Sequence, residues 1–307
     1  KRQVLGHPEV YRLFTYRYPG NASRDALRAK LDDMVCGSDR LAADIANPMR
    51  RLICNQLGYF REAMPVDFDL RGASIGNLIL AGGYLNNFRE LDSIIFLFEK
   101  LVSVQGTVRA IVEDNLHLGA ELQDSSLVLG QHLLTGKEAA SLTQPIRRLF
   151  LSESPDKVVE TRPRLRKKNR KLIAGADLIC FPPGSFYSSV VANLLPAGVG
   201  RAIAGNDCPK VYVPNLGSDP EQVGMSMQDS VRVLMQHLRA DCTNASSGQL
   251  LNFVLLDSRR GAYASDPPDS SFLRDHGIVL IDAKLVSKQS APYYDNDLLV
   301  SALVSLT

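Results

Sequence analysis

The chain has 307 residues, 45% of them hydrophobic and 22% charged, with a formal net charge of +2. Such values suit a folded globular protein and exclude a global field that would select nucleic acid or an anionic membrane. No apolar run reaches the ~18–20 residues of a membrane-spanning helix, and the length accommodates one large α/β domain or two smaller ones.

The first third reads as helical. Ser23 is placed to cap a helix whose Leu27, Leu31 and Met34 share a face and which stops at Gly37. Ser38 is placed to cap the next, with Leu41, Ile45, Met49, Leu52 and Ile53 at helical spacing and Pro48 set to kink or split it. In "RGASIGNLILAGGYLNN" (71–87) the apolar run predicts a helix over about 75–86, with Ser74, Gly76 and Asn77 at its start. A further helix over 90–102 should bury Leu91, Ile94, Ile95, Leu97 and Phe98. Its apolar surface fits the monomer core and a subunit interface equally well, so a homo-oligomer stays open.

From 104 to 150 apolar and polar residues alternate between turn residues, the period of half-buried antiparallel strands, which predicts a small β-rich insert ending in "PIRRLFL" (145–151). The run "RPRLRKKNRK" (162–171) is densely basic, but no aromatic platform is interleaved with it. A solvated helix or linker therefore accounts for it better than a nucleic-acid surface. The remainder alternates strands at 177–181, 210–215, 251–257 and 277–283 with helices at about 188–204, 226–239 and 294–306. That alternation predicts a mainly parallel sheet covered on both faces. The segment 258–271, rich in Pro, Ser and Asp, reads as a polar loop.

In an open α/β sheet, ligands bind beyond the carboxyl ends of the strands. "DLICFPPGSFYSSVVANLL" (177–195) sits at such a point. Gly184 permits close backbone approach, and Ser185, Ser188 and Ser189 surround the start of the next helix, where unpaired N–H groups and the helix dipole favour a phosphate. A plainly capped helix start is the alternative, but one serine would serve it. In "VPNLGSDPEQVGMSMQD" (213–229), Asn215 ends a strand, and Asp219 and Glu221 suit either a metal or hydroxyl partner or an ordinary polar loop. The five cysteines, Cys36, Cys54, Cys180, Cys208 and Cys242, include no CxxC pair, which argues against zinc or a disulfide framework and for a reducing cytoplasm. The five histidines show no ligand spacing, and "LTGKEAAS" (134–141) lacks the first glycine and the Lys-Ser/Thr pair of a P-loop.

Three ordered segments, "RGASIGNLIL", "GADLICFPPGSFYSSVVANLL" and "KVYVPN…DPEQVGMSMQD", resemble the 2-phospho-L-lactate transferase (CofD-like) family, nearer the branch of the gluconeogenesis factor YvcK. The resemblance spans nearly the whole chain. It implies a Rossmann-like three-layer α/β sandwich made as a single domain over 1–307, with the 104–150 insert inside it. It implies a nucleotide-diphosphate or nucleotide-sugar ligand. It implies first a transferase that, like the family's transferase members, moves a phospholactyl-type group from a nucleotide-diphosphate donor with Mg²⁺, and as the alternative a non-catalytic regulator like the members that bind nucleotide sugars such as UDP-N-acetylglucosamine. Carried onto this chain, Ser74, Gly76 and Asn77 would line the ligand cleft, Gly184, Ser185, Tyr187 and Ser188 would cradle phosphate, and Asn215 would sit at the next strand end. Nucleic-acid and membrane partners are not expected. The family's histidine before SIGN is Ala73 here. Its opening strands, "GGGTG" loop and acidic segments have no counterpart in the sequence, so no Mg²⁺ ligand is identifiable, and the chain, which opens without an initiator methionine, is expected to be truncated or to have lost them.

Overall fold

The computed structural model describes residues 7–101, 104–136 and 141–307. The end of the helix predicted over 90–102 and part of "LTGKEAAS" lie outside them. The chain divides into two compact units, the first ending at Glu113 and the second running Asp114–Thr307.

The first unit is helical: α1 (Pro8–Thr15), α2 (Arg24–Cys36), α3 (Arg40–Ala43), α4 (Met49–Ala63), α5 (Ile75–Asn86) and α6 (Leu91–Leu101). Ser23 caps α2 by accepting from the Ala26 N–H at 3.3 Å, and Gly37 ends it in the left-handed region at φ 75°. The predicted cap at Ser38 moves by one residue. Asp39 accepts from Leu41 N–H at 2.9 Å, and Ser38 instead donates to the Asp33 carbonyl at 3.1 Å. A carboxylate is the stronger acceptor for a helix start, which favours Asp39. Pro48 splits the pattern as expected, standing between α3 and α4. One core joins Leu27, Leu31 and Met34 of α2 to Ile53, Leu57 and Phe60 of α4, Ile75 and Ile79 of α5, and Ile94 and Phe98 of α6. Leu91, Ile95 and Leu97, also expected inside, are only half-buried.

The second unit holds two sheets. β1 (His117–Leu122), β2 (Leu127–Leu129), β3 (Ile146–Ser152) and β4 (Glu160–Thr161) form an antiparallel sheet in the order β2-β1-β3-β4, with a short helix, α7 (Gln131–Leu134), between β2 and β3. This is the predicted insert, shifted along the chain: 104–116 form no strand, and β4 lies beyond 150. Alternation reports which face a residue takes, but not whether a partner strand exists. The basic run forms part of α8 (Lys167–Ala174), whose Lys167, Lys168, Arg170 and Lys171 face solvent.

β5 (Ile179–Phe181), β6 (Lys210–Tyr212), β7 (Phe253–Leu256) and β8 (Val279–Asp282) form the parallel sheet, in chain order across it. Between them lie α9 (Val199–Ala204), α10 (Met227–Arg239) and α11 (Ser270–Asp275); α12 (Asn296–Val304) follows β8. Val211, Val213 and Leu255 point to one face, where Leu299 and Leu303 of α12 pack. Tyr212 points to the other, its ring edge-on to Phe186 at 6.2 Å and its hydroxyl meeting Ser230 of α10. The helix predicted over 188–204 is not continuous. A π-type turn (Phe186–Val190) runs into a 3₁₀ turn (Val191–Leu194), and α9 starts only after Pro196 and Gly198. Paired β-branched valines weaken the first stretch, and the proline lacks the N–H a helix interior needs. The loop predicted over 258–271 ends instead in α11, which the Pro-Ser-Asp composition concealed.

Among the described residues, no helix is long and apolar enough to cross a membrane.

Candidate functional site

The carboxyl ends of β5, β6, β7 and β8 share one edge of the parallel sheet, and their loops are tied together by side chains. After β5, the Gly184 N–H donates to Asn215 Oδ1 at 2.6 Å, and Asn215 Nδ2 donates back to the Gly184 carbonyl at 2.5 Å. Both functions of one amide thus clamp the β5 turn to the segment following β6. Gly184 has φ 151°, where a side chain is strained. Gly184→Ala is expected to destabilise the second unit by about 1–3 kcal/mol, read as a lower melting temperature.

Two carboxylates complete the clamp. Asp219 Oδ2 accepts from the Phe186 N–H at 2.7 Å and from Asn215 Nδ2 at 3.2 Å, while its Oδ1 accepts from the Glu221 N–H at 3.0 Å. Glu221, 1% exposed, accepts from the Ser188 N–H at 2.8 Å and from the Ser188 hydroxyl. Burial pushes the Glu221 carboxyl up against the pull of the Ser188 donors, and Asp219 adds to the rise. The N–H groups at the start of the turn therefore already face two carboxyl side chains.

This changes what the predicted residues can offer. Of the amides reserved by sequence for phosphate, those of Gly184 and Ser188 are bonded to Asn215 and Glu221. The Tyr187 side chain is buried, which raises its pKa to about 12, and its hydroxyl lies 3.4 Å from the Ile146 carbonyl and 3.3 Å from Met225 Sδ. Gly184 and Ser189 are exposed and Ser185 half-buried, so the outward polar groups of this turn come from them.

The remaining predicted residues belong to the first unit. Ser74 is the first residue before α5, half-buried, with its hydroxyl 3.5 Å from the Phe14 carbonyl. Gly76 is buried, and a Cβ there would sit 2.7 Å from the Phe14 carbonyl oxygen, so its role within the unit is close packing of α5 on α1. Asn77 is exposed.

After β7, Asp257 is 2% exposed, and its carboxylate accepts four main-chain N–H groups: Arg259 and Arg260 on Oδ1, Leu285 and Val286 on Oδ2, at 2.9–3.2 Å. Its own N–H donates to the Tyr263 hydroxyl at 2.9 Å. Tyr294 donates to the Pro214 carbonyl at 2.7 Å, which leaves Tyr263 as the donor in their 3.1 Å contact. A relay therefore runs from Asp257 through two tyrosines to the residue before Asn215. At the end of β8, Asp282 accepts from the N–H and hydroxyl of Ser258. The turn 257–261 opens onto a cavity of about 340 Å³ lined by Arg259, Arg260 and Lys284 together with Asp257, Ala283 and the exposed Asp282. The three cations escaped the sequence reading. The available signal was an Asp at a strand end followed within four residues by Gly, an Asx-turn pattern that fixes whatever stands between.

Mg²⁺ does not fit these carboxylates. Asp219, Glu221 and Asp257 all turn their oxygens onto internal donors, and two of the three are buried. Among the described residues no group of three or more His, Cys, Asp or Glu side chains is placed to hold a metal ion.

Comparison with known proteins agrees with this architecture. A gluconeogenesis factor of Bacillus subtilis is 32% identical over 172 residues, covering 55% of this chain and 50% of that protein. A putative gluconeogenesis factor of Thermotoga maritima is 29% identical over 192 residues, covering 62% and 54%. The chain thus spans about half the length of these curated relatives. A crystallised UPF0052-family protein of Bacillus halodurans shares the fold, with a TM-score of 0.61 at 22% identity over 94% of this chain and 88% of that one. The family model described as 2-phospho-L-lactate transferase CofD matches residues 7–298. The chain belongs to the CofD family.

Proposed function

We propose that this chain binds a nucleoside diphosphate or nucleotide sugar across the carboxyl edge of its parallel sheet, and that it does so as a binding, regulatory member of the family. The supporting observation is one cavity at the ends of β7 and β8 in which Arg259, Arg260 and Lys284 outnumber Asp257 and Asp282, both acids already accepting from Ser258 or from main-chain donors. The Gly184–Ser185 turn follows β5 on the same edge, two to three strands away. At ~4.8 Å per strand this separation is roughly 10–14 Å, a length that a nucleotide diphosphate spans. The hydroxyls of Ser185 and Ser189 would orient one end of the ligand, and the guanidinium and ammonium groups would neutralise charge at the other. Helices on both faces of the sheet and ligand loops at its carboxyl edge make a Rossmann-like three-layer sandwich the natural reading of this unit.

The binding reading is preferred because the acids beside the turn are committed to main-chain donors and none is left to activate a donor bond. The curated relatives carry the name gluconeogenesis factor, which states no transferase activity. The description of the family model supports a second reading, transfer of a phospholactyl-type group from a nucleotide-diphosphate donor.

Thermal shift with UDP, UDP-N-acetylglucosamine and GDP, each with and without Mg²⁺, separates the two. Ligand at 100 times its Kd stabilises by about 2.7 kcal/mol, or roughly 5–10 °C for a unit of this size. The expected result is a rise with the UDP-sugar that needs no Mg²⁺ and is lost in Arg259→Ala/Arg260→Ala. Stabilisation by GDP only with Mg²⁺ favours the transferase, and no response to any nucleotide overturns both readings.

A further inference from the structure

A second cavity lies on the flank of α10, between it and α11, and uses no residue of the carboxyl edge. Its volume is about 400 Å³, within the range of small-molecule sites. Arg232, Gln236 and Arg239 line it from α10. Their i, i+4, i+7 spacing puts them on one helix face, over roughly 10 Å of its length. Buried Met235 supplies an apolar wall.

Phe272 and His276 of α11 form the opposite side. The Phe272 ring contacts both the Arg232 guanidinium, 5.0 Å from its centroid, and the His276 imidazole, with centroids 4.4 Å apart and planes tilted by 37°. The Phe272 carbonyl can only accept, so His276 Nδ1 donates to it at 2.8 Å, which leaves Nε2 as the second polar atom of the ring. Both side chains thus rest against the same ring. The two arginines differ. Arg232 is paired with Asp229 at 2.8 Å. Arg239 donates to the Ser247 hydroxyl at 2.7 Å and has no carboxylate partner among the described residues. A half-buried guanidinium without a counter-ion, beside apolar surface, is a receptor for an anionic head on an apolar body.

We infer that this cavity binds a small organic anion, a phosphate or carboxylate head carried on a compact apolar body, with Arg239 gripping the head and Met235 contacting the body. The probes are phenyl phosphate and benzoate, which distinguish the two heads, with inorganic phosphate and benzyl alcohol as head-only and body-only controls. Titration is followed by calorimetry and by the Met235 methyl resonance. At least one aromatic anion is expected to shift that resonance and to bind at least 10-fold more tightly than either control. Arg239→Met, a substitution at a half-buried surface position, should weaken binding at least 10-fold while the nucleotide response of the other site persists. Equal binding by Arg239→Met and the parent, equal binding of inorganic phosphate, or no shift of Met235 at 10 mM of either aromatic anion overturns the assignment.

Discussion

Replacing Asp257 with alanine is expected to cost the second unit about 4 kcal/mol, since one buried carboxylate is the acceptor for four main-chain N–H groups. The loss is large because the donors come from two separate chain segments. Arg259 and Arg260 belong to the turn after β7, while Leu285 and Val286 follow β8, so water cannot satisfy all four without opening the sheet edge. Asparagine keeps the shape but turns an NH₂ group onto one pair of donors, and should recover little. Denaturation followed by far-UV circular dichroism measures the total, because the chain has no tryptophan. Hydrogen exchange at Leu285 and Val286 localises it: both amides should exchange at least 100-fold faster in Asp257→Ala. The pH dependence has a definite sign. Burial pushes the carboxyl up, but the four donors together outweigh burial and hold it below its ordinary value of 3.8. A depressed carboxyl contributes stability that is complete above its unfolded value and lost as pH falls through the folded one. The gap between parent and Asp257→Ala should therefore be full above about pH 5 and should narrow below 3.8. A gap that stays constant into acid would show that the carboxylate is not the acceptor.

The sequence disclosed elements better than it disclosed free donors. Helical spacing located α2, α5 and α10 to within a residue or so, because each buries a continuous apolar stripe and carries a capping residue or a stop. The parallel strands were legible as short apolar runs between helices, although 210–215 and 251–257 shrank to Lys210–Tyr212 and Phe253–Leu256. The predicted runs include residues that leave the ladder to serve the loops, Asn215 and Asp257 among them. The turn 182–189 was correctly placed at a strand end, but its amides could not be counted as free. Their partners, Asp219 and Glu221, lie 33 residues on, and a linear reading sees two acids in a polar loop without seeing what they face. Gly76 illustrates the same limit in the first unit. Glycine beside a serine at a helix start suggests a ligand, whereas here the missing side chain admits the Phe14 carbonyl. The cation cluster was hidden for the opposite reason. Arg259 and Arg260 are ordinary surface residues until Asp257 immobilises their backbone and β8 brings Lys284 beside them.

Glu221 allows the clamp itself to be tested. Glu221→Ala removes the acceptor of the Ser188 N–H and hydroxyl and is expected to destabilise the second unit by about 3 kcal/mol, the cost of stranding half-buried donors beside the void left by a buried side chain. Glu221→Gln should behave otherwise. Its carbonyl oxygen can still accept from Ser188 N–H, the Ser188 hydroxyl can reverse and accept from the new NH₂, and the desolvated charge is gone. Stability within about 1 kcal/mol of the parent at neutral pH follows from that exchange. The two chains should diverge in acid. Because burial holds the Glu221 carboxyl above its ordinary value of 4.5, the folded state binds the proton more tightly than the unfolded one. The stability this contributes is complete below 4.5 and disappears as pH rises through the folded value. Melting temperatures of the parent should therefore improve relative to Glu221→Gln as pH falls toward 4.5, the reverse of the Asp257 trend on the same sheet edge. Two carboxylates in one loop cluster thus bracket the acid range from opposite sides, and the difference arises because four fixed amides outweigh burial at Asp257, whereas burial outweighs the Ser188 donors at Glu221. An alanine at 221 that melts with the parent would mean that Asn215 and Asp219 hold the turn by themselves and that Ser188 is solvated, which would return its amide to the set available for phosphate.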